Sequence, residues 1–120
     1  MAFDHEYHES TLTREELEQL AGPVVVEFGA NSCGICGGFT PQAAAAFEPY
    51  PQVQHIRVED GRGKRLGRAF GVKLWPTFVF LRDGQIVQQA VRPDRQDVER
   101  GLAAITSNDA ASTDAATTDA

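Results

Sequence analysis

VVVEFGANSCGICGGFTP, residues 24–41, is the stretch on which the reading of this chain turns. Val24 to Phe28 is a short β-branched apolar run, the pattern of a strand buried on both faces of a sheet. One charge, Glu27, interrupts it. From Cys33 the pattern turns helical, and the alanine-rich continuation carries a helix to about Phe47, with Pro41 inside it and expected to kink it. A strand running into a helix through a Cys-x-x-Cys segment is the first half of a βαβ unit.

Outward from that core the other elements fall into place. Thr13 followed by Glu16, Leu17 and Leu20 is a capping box opening a helix over about 13–21, and Gly22-Pro23 ends it. The alternation in QHIRVE, 54–59, predicts a second strand, and 63–72 a short helix closing at Gly71. TFVFL (77–81) and QIVQQAV (85–91) flank Arg82-Asp83-Gly84, where Asp-Gly is a strong hairpin signal. Asp94 caps a last helix, about 95–106, with Val98, Leu102 and Ile105 on one face. The expected order is α-β-α-β-α-β-β-α, an α/β fold with a central mixed β-sheet flanked by helices on both faces. Cys33 then lies at the C-terminal end of the first buried strand, the edge where open α/β sheets carry their sites. Residues 1–106 form one domain in this reading. The Ala/Thr/Asp-rich tail, 107–120, buries too little to offset its ordering cost and is expected to be disordered.

The bulk composition narrows the function classes. A chain of 120 residues, 42% hydrophobic and 23% charged, is an ordinary globular domain. No apolar run approaches the roughly 18 residues of a membrane span. The acidic, polar N-terminus does not read as a signal peptide, so the expected compartment is the cytoplasm. The net charge of −6 is partly the tail, which holds three of the 17 acids. Neither that balance nor the local basic stretch from Arg57 to Lys73 points to nucleic acid, since solvated helix and loop charges explain the stretch.

Cys33 and Cys36 are the only two cysteines. A metal site is disfavoured, because no further cysteine exists and His5, His8 and His55 have no ligand-like spacing to the pair. A structural disulfide over so short a loop would restrain the unfolded chain weakly. Idle core cysteines belong in apolar runs, not beside Asn31, Ser32 and glycines. Redox exchange has a mechanism. A thiolate on Cys33 at a helix N-terminus is favoured by free N–H groups and the positive dipole end, and the thiolate is the nucleophile. Cys36, one turn on, can attack the mixed disulfide that results, and Gly34 permits the tight approach.

Two further features complete the candidate site. Glu27 is either a carboxylate at a strand edge facing solvent, or a buried acid with a raised pKa that accepts and returns the Cys36 proton. In LWPTFVF, 74–80, Pro76 opens a strand without breaking a ladder bond. A cis Trp75–Pro76 bond would bring the Trp75 backbone near the cysteines, although most X–Pro bonds are trans.

Taken together these parts resemble the thioredoxins. Cys-x-x-Cys after an apolar strand, Pro41 five residues past the second cysteine, Trp75-Pro76-Thr77 at a strand start and the Arg82-Asp83-Gly84 hairpin match that family in order and spacing. The resemblance, running from about residue 12 to 106, implies the thioredoxin fold. It also implies that Cys33 attacks, Cys36 resolves, and Pro76 is a cis-proline whose preceding backbone pairs with a substrate strand. Glu27 falls where the family usually has a buried Asp, and Arg57 where it has a basic residue near that acid. Ser32 replaces the usual tryptophan, whose apolar wall Trp75 would partly supply. Ile35 replaces a proline between the cysteines, and Arg92 stands where a glycine commonly lines the substrate groove.

The function expected on this basis is thiol–disulfide oxidoreductase, reducing protein disulfides through the Cys33/Cys36 couple. No bound cofactor or metal is expected. Electrons would come from a separate reductase, the chain acting as a monomer away from membranes and nucleic acid. The altered Ser32, Ile35 and Arg92 motivate an alternative, a binding module or assembly chaperone whose groove rather than thiols carries function. An oxidase or isomerase is a third reading, disfavoured by the missing export signal.

Overall fold

The structure, a computed structural model, describes residues 3–107. Its elements are α1 (Arg14–Glu18), β1 (Pro23–Gly29), α2 (Gly34–Phe47), β2 (Gln54–Glu59), α3 (Arg65–Ala69), β3 (Thr77–Arg82), β4 (Gln85–Val91) and α4 (Arg95–Thr106). The order is the one the sequence predicts. α1 and α3 are shorter than expected, for local reasons. Thr13 and Glu16 do form the capping box of α1, but after Glu18 the chain tightens into three-residue turns, the Gln19 N–H donating to the Glu16 carbonyl and the Leu20 N–H to the Leu17 carbonyl. Lys64 is still extended, and left-handed Gly63 and Gly71 (φ 81° and 70°) bracket α3. α2 continues through Pro41, and the 108–120 part of the tail lies outside the described residues.

The four strands form one mixed sheet in the order β2-β1-β3-β4, with β1 parallel to β2 and antiparallel to β3, and β3 antiparallel to β4. The β3–β4 turn has positive φ at both Asp83 (50°) and Gly84 (81°), as a two-residue Asp-Gly hairpin requires. A side chain at 84 would also strike the Glu18 carbonyl.

Period-2 alternation sorts the strands onto two layers. Val25, Phe78 and Phe80 pack with Ala43, Phe47, Val98, Leu102 and Ile105 beneath α2 and α4. Val24, Val26, Phe28, Val79 and Leu81 pack with Leu17, Leu66 and Phe70 beneath α1 and α3. Each fully buried Val, Leu or Phe contributes about 1.5–3 kcal/mol, so these two layers hold the sheet rigid. Glu27 shares its face with Val25 and therefore points into the α2 layer. Among the described residues no helix is long and apolar enough to cross a membrane.

Candidate active site

Both cysteines stand where β1 hands over to α2. Cys33 is the N-cap of α2, in extended backbone, and its sulfur accepts the Cys36 N–H at 3.2 Å. A free helical N–H aimed at a sulfur is the donor a thiolate needs. The two thiols are unpaired and unequal. Cys33 is half-buried, whereas Cys36 is 1% exposed. Burial and the hydrogen bond shared with Cys33 push the Cys36 thiol up to about 11, against the Ala30 backbone and the Tyr7 hydroxyl, which pull it down.

Glu27 is 0% exposed, so the solvent-facing alternative does not hold. Neither does a raised pKa. Burial would raise it, but hydrogen bonds from His55 and Arg57 and the Arg57 charge outweigh burial and hold the carboxyl below the ordinary value of 4.5. The parallel register sets Arg57 beside Glu27 and His55 beside Val25, all on one face. Arg57 grips the carboxylate with two hydrogen bonds of 3.0 Å, Nε to Oε1 and Nη2 to Oε2. His55 Nε2 lies 2.9 Å from Oε1. The Asp4 N–H donates to His55 Nδ1 at 2.9 Å, which leaves the ring proton on Nε2 to be donated to Glu27. Arg57 Nη2 also reaches Thr40 Oγ1 at 2.9 Å, and that hydroxyl donates to the Cys36 carbonyl at 3.0 Å. The ion pair is thereby tied to the first turns of α2.

A residue that no sequence pattern singled out closes this cluster. The segment before α1 runs beside β2, joined at His8 and Val58, and delivers Tyr7 to the site. Tyr7 is 5% exposed and its hydroxyl donates to Glu27 Oε2. Burial and the Glu27 charge push that phenol well above its ordinary range. His55, Asn31, Thr40 and Asp60 were likewise not singled out as site residues. His55 and Asp60 had a signal available. His55 is two positions before Arg57 on an alternating strand, and Asp60 directly follows that strand at the sheet edge that holds the cysteines.

The remaining candidates gather at the same edge, because Phe28 pairs with Thr77 and Thr77 with Val91. The Trp75–Pro76 bond is cis. Trp75 is half-buried, its indole N–H donating to Asp60 Oδ2 at 2.9 Å, and Pro76 is buried. Arg92 holds this loop from β4. Its backbone N–H donates to the Pro76 carbonyl and its Nε to the Trp75 carbonyl, both at 2.8 Å. Arg92 does so at φ 47°, left-handed backbone that a non-glycine residue adopts at a cost of about 1–2 kcal/mol. Ser32, Gly34 and Ile35 are exposed, and Leu74 and Val91 add apolar surface nearby in the fold. Pro41 is on the exposed side of α2, away from this cluster of contacts. A pocket of about 550 Å³ between α1 and α3 is lined by neither cysteine. Among the described residues no group of three or more His, Cys, Asp or Glu could hold a metal ion.

Comparison with known proteins agrees with this geometry. The thioredoxin family pattern matches residues 5–104. The chain is 34% identical over 71 residues to thioredoxin Asp f 28 of Aspergillus fumigatus, covering 59% of this chain and 66% of that protein. It is 31% identical to an H-type thioredoxin of Picea mariana, covering 68% and 66%. The chain thus spans just under two thirds of the length of these two relatives. Among solved structures, reduced thioredoxin 2 of Pseudomonas aeruginosa superposes with a TM-score of 0.74 at 50% identity, over 83% of this chain and 94% of that one. Thioredoxins act on protein disulfides and are reduced in turn by a separate reductase. With its two unequal thiols at the head of α2 and a family match over residues 5–104, this chain belongs to the thioredoxin family.

Proposed function

We propose that this chain reduces protein disulfides, with Cys33 as attacking and Cys36 as resolving thiol. The observation that supports this most directly is the inequality of the pair. Cys33 is within reach of a client and receives a helix N–H, while Cys36 is covered and can be reached by the Cys33 mixed disulfide alone. Cys33 attacks one client sulfur, and the other leaves as a thiolate. Cys36 then attacks Cys33, forming the intramolecular disulfide and releasing the reduced client. The dithiol is restored by a separate reductase, in the cytoplasm, with the chain acting as a monomer. Glu27 serves as an ionised acceptor for the Cys36 proton, not as an acid of raised pKa. Arg57 keeps it charged, and Thr40 ties that pair to α2.

In this reading Trp75 and Pro76 hold the client strand, Ser32, Gly34 and Ile35 form the rim around Cys33, and Arg92 restricts entry by occupying the Trp75 carbonyl. Single-turnover reduction of a disulfide peptide tests it. Cys33→Ser abolishes reduction, and Cys36→Ser stops at a stable mixed disulfide isolable by mass. Full reduction by Cys33→Ser would overturn the assignment, and unchanged biological activity of the double cysteine variant would instead favour a binding module.

A further inference from the structure

Arg92 is exposed yet anchored twice. Its backbone N–H donates to the Pro76 carbonyl and its Nε to the Trp75 carbonyl, both at 2.8 Å, from left-handed backbone. A guanidinium has five N–H donors, and this arrangement uses one of them. Among the described residues no acid pairs with Arg92, and nothing accepts from its Nη1 or Nη2. Other surface cations are engaged locally, Arg14 by Glu18, Lys64 by Glu9, Arg95 by Glu99 and Arg100 by Asp97. Arg92 presents the open end of a planar fork, already oriented, in the shape that takes a carboxylate through two parallel bonds.

The sheet register sets where that fork stands. Phe28 of β1 pairs with Thr77 of β3, and Thr77 with Val91 of β4. Cys33 follows β1, the Trp75-Pro76 loop precedes β3, and Arg92 follows β4, so the three lie side by side along one sheet edge. Arg92 is two strand spacings from the line of β1, about 10 Å, which an extended client chain covers in about three residues. The acids of this edge do not neutralise it. Asp60 accepts the Trp75 indole N–H, Asp94 accepts the Asp97 N–H in the α4 cap, and Glu9 pairs with Lys64. Glu59 ends β2, at the opposite side of the sheet from β4. Two more exposed cations, Arg62 after β2 and Lys73 before β3, add positive charge at this edge, although the chain as a whole carries −6.

We propose that Arg92 is a specificity-determining residue that selects disulfide clients carrying a carboxylate side chain about three residues from the cysteine that Cys33 attacks. This rests on the Cys33/Cys36 reduction given above and leaves its chemistry unchanged. The client carboxylate docks on Nη1 and Nη2 while Nε stays on the Trp75 carbonyl. A neutral client meets the same occupied carbonyl with no ion pair to offset it, and a basic client meets repulsion. Selection of this kind acts on encounter and affinity and weakens with salt.

Peptides with one internal disulfide, and Glu, Gln or Lys placed two to four residues from either cysteine, test this with the full chain. The second-order rate of their reduction by the dithiol form is read by acid quench and thiol trapping. At low ionic strength Glu is expected to outpace Gln by about fivefold at one of these positions, with Lys slowest. The spread should vanish near 1 M salt, where the screening length falls to about 3 Å. Arg92→Gln keeps a donor for the Trp75 carbonyl but removes the charge, so the Glu preference should fall to within twofold. Arg92→Glu should put Lys ahead of Glu. Equal rates for the three peptides in the parent, a parent preference for Lys, or a Glu preference that survives Arg92→Gln would overturn the inference, and a purely structural Arg92 would move all three peptides equally. Should Arg92→Gln fold poorly, Arg92→Gly, which takes left-handed backbone freely, reads the same preference. Reduction of the peptides by Cys33→Ser at the parent rate would defeat the redox reading itself, whereas Cys33-dependent reduction without charge order defeats this inference alone.

Discussion

A buried carboxylate with four donors is held by geometry as much as by charge. Glu27 and Arg57 are both essentially unexposed, with side chains at 0% and 2%. Removing one partner of a buried pair costs about 3–5 kcal/mol, because the other is left charged and unpaired. Glu27→Ala is therefore expected to lower unfolding free energy by about that amount at neutral pH, measured by urea denaturation. The pH dependence follows from the lowered pKa. The folded carboxyl binds its proton more weakly than the unfolded one, so its contribution is fully present above about 4.5 and is lost as pH falls through the folded value. The gap between parent and variant should close below that value. A gap that persisted into strong acid would mean that packing, not ionisation, sets the cost.

At the scale of elements, the join between β4 and α4 bears on how a client enters. Arg92 accepts left-handed backbone and in return holds two carbonyls of the Trp75-Pro76 loop. Arg92→Gly removes the backbone cost of about 1–2 kcal/mol and one exposed hydrogen bond worth about 0.5–1.5 kcal/mol. The two nearly cancel, so stability should stay within about 1 kcal/mol of the parent. The Trp75 carbonyl, however, is freed. The expected outcome is a lower KM for uncharged disulfide peptides at similar kcat, measured by steady-state kinetics. If KM were unchanged, Arg92 would be a structural clamp and not a selector of clients.

Over the whole molecule, the thiol state should set alkaline stability. The Cys36 thiol, raised from about 9.0 to about 11, is held protonated more tightly in the folded chain. Its contribution is fully present below the unfolded value and is lost as pH rises through the folded one. The disulfide form has no such thiol, while Tyr7 and Glu27 are common to both forms. The Tm difference, oxidised minus reduced, should therefore widen between about pH 9 and 11, read by thermal melts of the two forms. A constant difference across that range would contradict the shift.

Much of this molecule is written locally. Thr13 and Asp94 cap their helices through side chains three residues from their partners, Asp83-Gly84 makes its own turn, and the strands alternate by their own period. Cys33 and Cys36 needed only their spacing and the apolar run before them. What the sequence could not determine is what depends on neighbours far along the chain. The charge state of Glu27 was misjudged because burial is visible in VVVEF, whereas the donors that outweigh it arrive from residues 7, 55 and 57. Tyr7 lies in a segment without periodicity, and only its pairing beside β2 brings it to Glu27. The indole of Trp75 needed Asp60 to hold it, and the Trp75 carbonyl needed Arg92. Short-range capping, turn and packing preferences act through residues a few positions apart, so sequence alone determined the elements and where the cysteine pair stands between β1 and α2. Desolvation and hydrogen bonding act through space, so only the tertiary structure decided which groups surround that pair and in what ionisation state.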